Sequence, residues 1–82
     1  MTLQELLDLK IIQDNVHILV KDQQVEGEDS YKEHFHINRI LGRTVVKEDF
    51  IKAGVKEEYF SYKVQSIWGD RNPFKMGIVI EK

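Results

Sequence analysis

Two runs near the C-terminus constrain the fold more than any other feature of the chain. Tyr62-Lys63-Val64-Gln65-Ser66-Ile67-Trp68 and Phe74-Lys75-Met76-Gly77-Ile78-Val79-Ile80 are rich in β-branched and aromatic residues and alternate along their length. That is the pattern of half-buried strands. Gly69-Asp70-Arg71-Asn72-Pro73 between them has turn chemistry, and its proline cannot continue a central strand. The pair predicts a hairpin with antiparallel strands. A lone hairpin is marginal in water, so the rest of the chain must supply more strands and a cover for one face.

The remaining segments do so. Thr2-Leu3-Gln4-Glu5 fits a capping box, and Leu3, Leu6 and Leu7 recur at helical spacing, which predicts a helix ending near Lys10. Gln13-Asp14-Asn15 is a turn, and Val16–Lys21 alternates as a strand. Residues 22–30 read as an exposed loop. Tyr31 to Ile40 alternates again and predicts a second strand antiparallel to the first, with a helical turn at Asn38-Arg39-Ile40-Leu41 as its rival. Val46, Phe50 and Ala53 share one face of a short helix that starts with acids and stops at Gly54, which suits the left-handed position after a helix end. The expected fold is a small α+β domain over residues 1–82, in α-β-β-α-β-β order. It has a mainly antiparallel four-stranded sheet with two helices on one face. The expected core includes Leu3, Leu6, Leu7, Ile18, Val20, Phe35, Ile37, Phe50, Val64, Ile78 and Ile80.

Length and composition then limit the chemistry. Eighty-two residues make one domain with a single thin core. The chain has no cysteine, which removes disulfides, thiolate metal sites and cysteine nucleophiles. No run of apolar residues reaches the roughly 20 needed to span a bilayer. The N-terminus carries an early acid and no basic flank, so no signal peptide is read there. These features predict a cytoplasmic protein with no membrane contact. The formal net charge of −2 gives no global attraction to nucleic acid. The second half is richer in lysine and arginine than the first, which suits a basic face presented to an acidic partner.

Three constellations stand out. Asp22, Glu26, Glu28, Asp29 and Glu33 concentrate acid in and beside the loop, as a solvated or partner-binding segment would. Lys63, Trp68, Arg71 and Lys75 place an aromatic among cations on the terminal hairpin, where a base can stack. The simpler reading makes Trp68 and Phe74 core or hairpin-stabilising residues. His34 and His36 are two apart and so share a strand face, with His17 on the neighbouring strand. Three such imidazoles can ligate a metal ion, and Glu33 or Asp22 can add oxygen. No nucleophile elbow and no glycine-rich phosphate loop occurs.

The capped N-terminal helix, Asp14-Asn15-Val16-His17-Ile18-Leu19-Val20-Lys21-Asp22, the glycine-bounded helix and the terminal hairpin together resemble small uncharacterised proteins encoded by bacteriophages and prophages of Gram-positive bacteria. The resemblance spans most of the chain and carries no chemical motif. It implies a short accessory protein acting on a host factor and assigns no residues. The sequence therefore favours a non-enzymatic protein-interaction module without cofactor, its partner met by the acidic loop. A nucleic-acid-binding hairpin is the alternative, and a histidine metal site the third reading. Either open sheet edge can also pair with a second copy into a homodimer.

Overall fold

The computed structural model describes residues 1–21, 31–70 and 75–82. Helix α1, Leu3–Asp8, starts at the expected capping box: the Glu5 N–H donates to Thr2 Oγ1 at 3.2 Å and the Thr2 N–H to Glu5 Oε1 at 2.9 Å. Lys10 follows in the left-handed region, at φ 54°, and turns the chain away from the helix axis. Strands β1 (Asn15–Lys21) and β2 (Tyr31–Ile37) come next, then helix α2 (Lys47–Lys52) and a 3₁₀ turn (Glu57–Ser61). Strands β3 (Lys63–Asp70) and β4 (Lys75–Glu81) close the chain.

The sheet order is β2-β1-β4-β3. The two hairpin pairs, β1 with β2 and β3 with β4, are antiparallel, and the central pair, β1 with β4, is parallel. The sheet is thus mixed and mainly antiparallel. A parallel pair requires a crossover, and α2 with the 3₁₀ turn provides it across one face. The second strand stops at Ile37, short of Ile40, and a turn at Gly42 (φ 89°) leads on toward α2. Gly54 takes the left-handed position after α2, at φ 101°.

All helical elements cover the same face. Leu3, Leu6 and Leu7 of α1, Phe50 of α2, and Tyr59 and Phe60 of the 3₁₀ turn pack on Val16, Ile18, Val20, Ile37, Ile78 and Ile80. Every residue expected in the core lies in or against this cluster, with Phe35 and Val64 partly buried at its rim. Ile12, Val45 and Val55 join it from the connections. Ala53, expected on the apolar face of α2, is exposed. The helix stops too soon to bury it, and Val55 fills that space after the Gly54 turn.

Asp49, in the first turn of α2, ties the start of the helix to the segment before it. It accepts the Val46 N–H at 2.9 Å and two bonds from the Arg43 guanidinium, at 2.7 and 2.9 Å. These bonds hold its carboxyl below the ordinary value, the Arg43 bonds foremost. Acceptance of several donors by one carboxylate offsets its burial.

A bulge changes one reading. Val64 pairs with Ile80 but Ser66 pairs with Val79, so Gln65 is the extra residue. Simple alternation places Val64, Ser66 and Trp68 on one face. The bulge instead leaves Val64 on the covered face and sends Ser66 and Trp68 to the other.

A candidate binding surface on the uncovered sheet face

The face opposite the helices is built from side chains that pair across the strands. One row runs His36, His17, Gly77, Trp68 from β2 to β3. The next runs His34, Leu19, Val79, Ser66. Lys21, Glu81 and Lys63 form a charged border, with Lys21 and Glu81 4.0 Å apart. Lys75 shares the face beside Asn15.

The histidines and the tryptophan form a continuous ring surface. The His17 and His36 rings stack with centroids 4.2 Å apart and 16° between planes. His34 lies 5.6 Å from His17. Trp68 meets His17 edge to face at 6.5 Å. The indole lies over Gly77: a Cβ placed there would fall within the ring, on Cε2 and Cζ2. Glycine at 77 is therefore the seat of the indole, a close approach that no other residue permits. Leu19 and Val79, the aliphatic residues between these rings, are buried although no helix covers them. Trp68 remains 42% exposed, and His34 and His36 are exposed.

His17 is the constrained member. Its Nε2 is shut from solvent and has no hydrogen-bond partner. Its pKa is pushed below the ordinary 6.5, first by burial and then by His36, Lys75 and His34. Both effects disfavour imidazolium. Among the described residues, no three His, Asp or Glu side chains are grouped to hold a metal ion. The three imidazoles share one face, but His17 and His36 lie face on face.

Glu33 is not available to them. It pairs with Val20, on the covered face, where Lys56 Nζ approaches its Oε1 at 3.3 Å. Its Oε2 and the Tyr59 hydroxyl are both buried without a hydrogen bond of standard geometry. Burial, then the adjacent Glu33, raises the Tyr59 pKa. Glu33 thus lies on the helix side of β2, paired with Lys56, and away from the open face. Asp22, Glu26, Glu28 and Asp29 lie outside the described residues, as do Arg71 and Phe74. Lys63, Trp68 and Lys75 fall together on the open face.

The described members of the hairpin set, Lys63, Trp68 and Lys75, and the histidine set, separate in the sequence, thus share one face. Lys21, Lys63 and Lys75 lie on it against Glu81, and Asp70 takes the register position opposite Lys75. What sequence reading missed is the Gly77 seat and the buried pair Leu19 and Val79. A glycine inside a strand run facing an aromatic run was the available signal. A cavity of about 460 Å³ also opens between Gln13 and Arg39–Thr44, but Arg43 on its wall is engaged by Asp49. No helix of the described residues is long and apolar enough to cross a membrane. Comparison with protein-family models, with curated proteins and with solved structures finds no match to this chain.

Proposed function

We propose that the chain is a non-enzymatic protein-interaction module that docks an acidic partner surface on its uncovered sheet face. The observation that carries this is the exposed Trp68 set beside three imidazoles, with Lys63 and Lys75 on the same face. Indole rings held on a rigid sheet are the residues that dominate protein interfaces, and lysines around them steer an acidic partner. An uncovered sheet face that displays rings and lysines suits the docking of a partner surface. In keeping with the phage-type resemblance, the partner is a host protein.

The second reading is single-stranded nucleic acid, favoured by the same half-exposed indole among lysines. Stacking on such a ring contributes roughly 1–3 kcal/mol per base. Affinity capture from bacterial lysate, with and without nuclease, separates the two. Retention of one protein in both samples, lost with Lys75→Glu and kept with Glu48→Lys on the helix side, supports the first reading. Loss of all partners on nuclease treatment transfers the site to the second. Capture that survives Lys75→Glu and Trp68→Ala together removes the face from either.

A further inference from the structure

We infer that the outer edge of β3 pairs with the same edge of a second copy, making a two-fold dimer whose sheet runs unbroken through both. This inference stands on the edge and not on the open-face reading.

The two sheet edges differ in kind. The sequence of β2 includes Lys32 and Glu33, charged residues of the kind that discourage edge pairing. At the other edge, the start of β3 is already occupied. Thr2 bridges Lys63, the Leu3 N–H donates to the Tyr62 carbonyl at 3.0 Å, and the Val64 N–H donates to the Met1 carbonyl at 2.8 Å. Beyond that cover runs Gln65-Ser66-Ile67-Trp68-Gly69, without a charge or a proline. Ile67 is 45% exposed on one side of this segment and Trp68 42% exposed on the other. The bulge at Gln65 is its one protective device.

The segment is complementary to itself. A two-fold axis normal to the sheet must pair residues of the same face. Centred on Ile67, it sets Ile67 against Ile67 of the copy, Trp68 against Ser66, and Gln65 against Gly69. Trp68 and Gln65 then each meet a small residue, and the exposed isoleucines bury each other. The two open faces become one, with two indoles near its centre. A five-residue edge falls below the roughly 1,200 Å² of a standard interface, so the dimer forms only at high concentration.

The chain has no cysteine, so one introduced thiol reports without background. Ile67→Cys places two thiols across the axis, and Ile51→Cys, equally exposed on α2, is the control. Under mild oxidation Ile67→Cys is expected to give disulfide dimer at least 10-fold faster. In sedimentation equilibrium the wild-type mass is expected to rise between about 10 µM and 1 mM, and Ile67→Lys to remain monomeric at the same melting temperature. Lys75→Glu, away from the edge, dimerises like wild type whatever it does to partner capture. Equal cross-linking rates overturn the inference, as does a wild-type monomer throughout that range or an Ile67→Lys protein that still associates.

Discussion

The seat of Trp68 on Gly77 makes a prediction with a change of sign. In the wild-type protein, Gly77→Ala puts a methyl inside the indole, since the three atoms nearest such a Cβ all belong to that ring. The ring must leave its seat. A fully buried aromatic side chain covers roughly 150–250 Å², and Trp68 is a little over half covered. Displacement of the ring re-exposes about half of that covered area, on the order of 50–80 Å², which at about 25 cal/mol per Å² costs about 1–2 kcal/mol. Against this, alanine is better than glycine inside a strand by about 0.5–1 kcal/mol. The net loss is about 0–1.5 kcal/mol, or a melting temperature lower by up to roughly 12 °C in a domain of this size. In a Trp68→Ala background nothing occupies the seat, and the same substitution stabilises by the strand term alone. Urea denaturation of the four proteins closes the cycle, with an expected coupling of about 1–2 kcal/mol. Trp68 is the only tryptophan, so its emission shifts to the red in Gly77→Ala and reports the expulsion directly. An equal loss in both backgrounds refutes the reasoning, because the glycine would then be demanded by the backbone and not by the indole.

Three further outcomes follow from groups elsewhere. Ile78 is fully buried on β4 at the sheet centre, and Ile78→Ala is expected to cost about 2–5 kcal/mol in urea titration; a loss under about 1 kcal/mol contradicts that placement. Asp49 has a folded pKa below its ordinary 3.8, so its contribution is complete above the unfolded value and disappears as pH falls through the folded one. Asp49→Asn should therefore cost about 1–3 kcal/mol at pH 7 and should flatten the acid limb of the stability profile. His17 has a folded pKa below 6.5, so the unfolded chain binds more protons there and stability falls as pH drops from 6.5 toward the folded value. The pH 8 to 5.5 difference in urea midpoint is expected to shrink in His17→Gln, and an unchanged difference places the titration on other groups.

How much of this was legible in the sequence depended on whether the determinant was local. The capping box of Thr2 and Glu5, the Gly54 stop, the period-2 runs of β1 and β4 and the eleven expected core residues are local, and each stands in the structure. The bulge at Gln65 is not local. Its effect is to change which residues face the core, and the sequence around it contains no glycine or proline to mark it. The parallel pairing of β1 and β4 is likewise set by how two hairpins meet under the crossover, which no single segment encodes. Of the candidate site, the shared face of His34 and His36 was legible because two-residue spacing fixes it, whereas their meeting with His17 needed the β1–β2 register, which the sequence leaves open. Their union with Trp68 was not legible either, because it needs the bulge and the β1–β4 register together. Glu33 looked equivalent to the other acids until its pairing with Val20 turned it to the helix side.

Trp68 belongs to two features at once. It is the most prominent ring on the open face and it flanks the uncharged edge of β3. Its indole also covers Gly77 and meets His17, so its removal lowers stability whatever else it does. Truncating it alone therefore cannot assign a role: loss of partner capture, loss of dimer and loss of fold all follow from the same change. The residues around it separate the three. Lys75 is on the face but on β4, behind the edge strand. Ile67 is on the edge but turned to the opposite side. Gly77 touches neither a partner nor a copy and acts only through the indole. If the face and the edge work independently, Lys75→Glu abolishes capture and leaves the dimer, and Ile67→Lys does the reverse. If instead a partner lies across the joined faces of two copies, Ile67→Lys weakens capture as well, because a monomer presents one indole where the dimer presents two. The dependence of capture on Ile67, a residue that does not point to the partner, thus decides whether self-pairing serves binding.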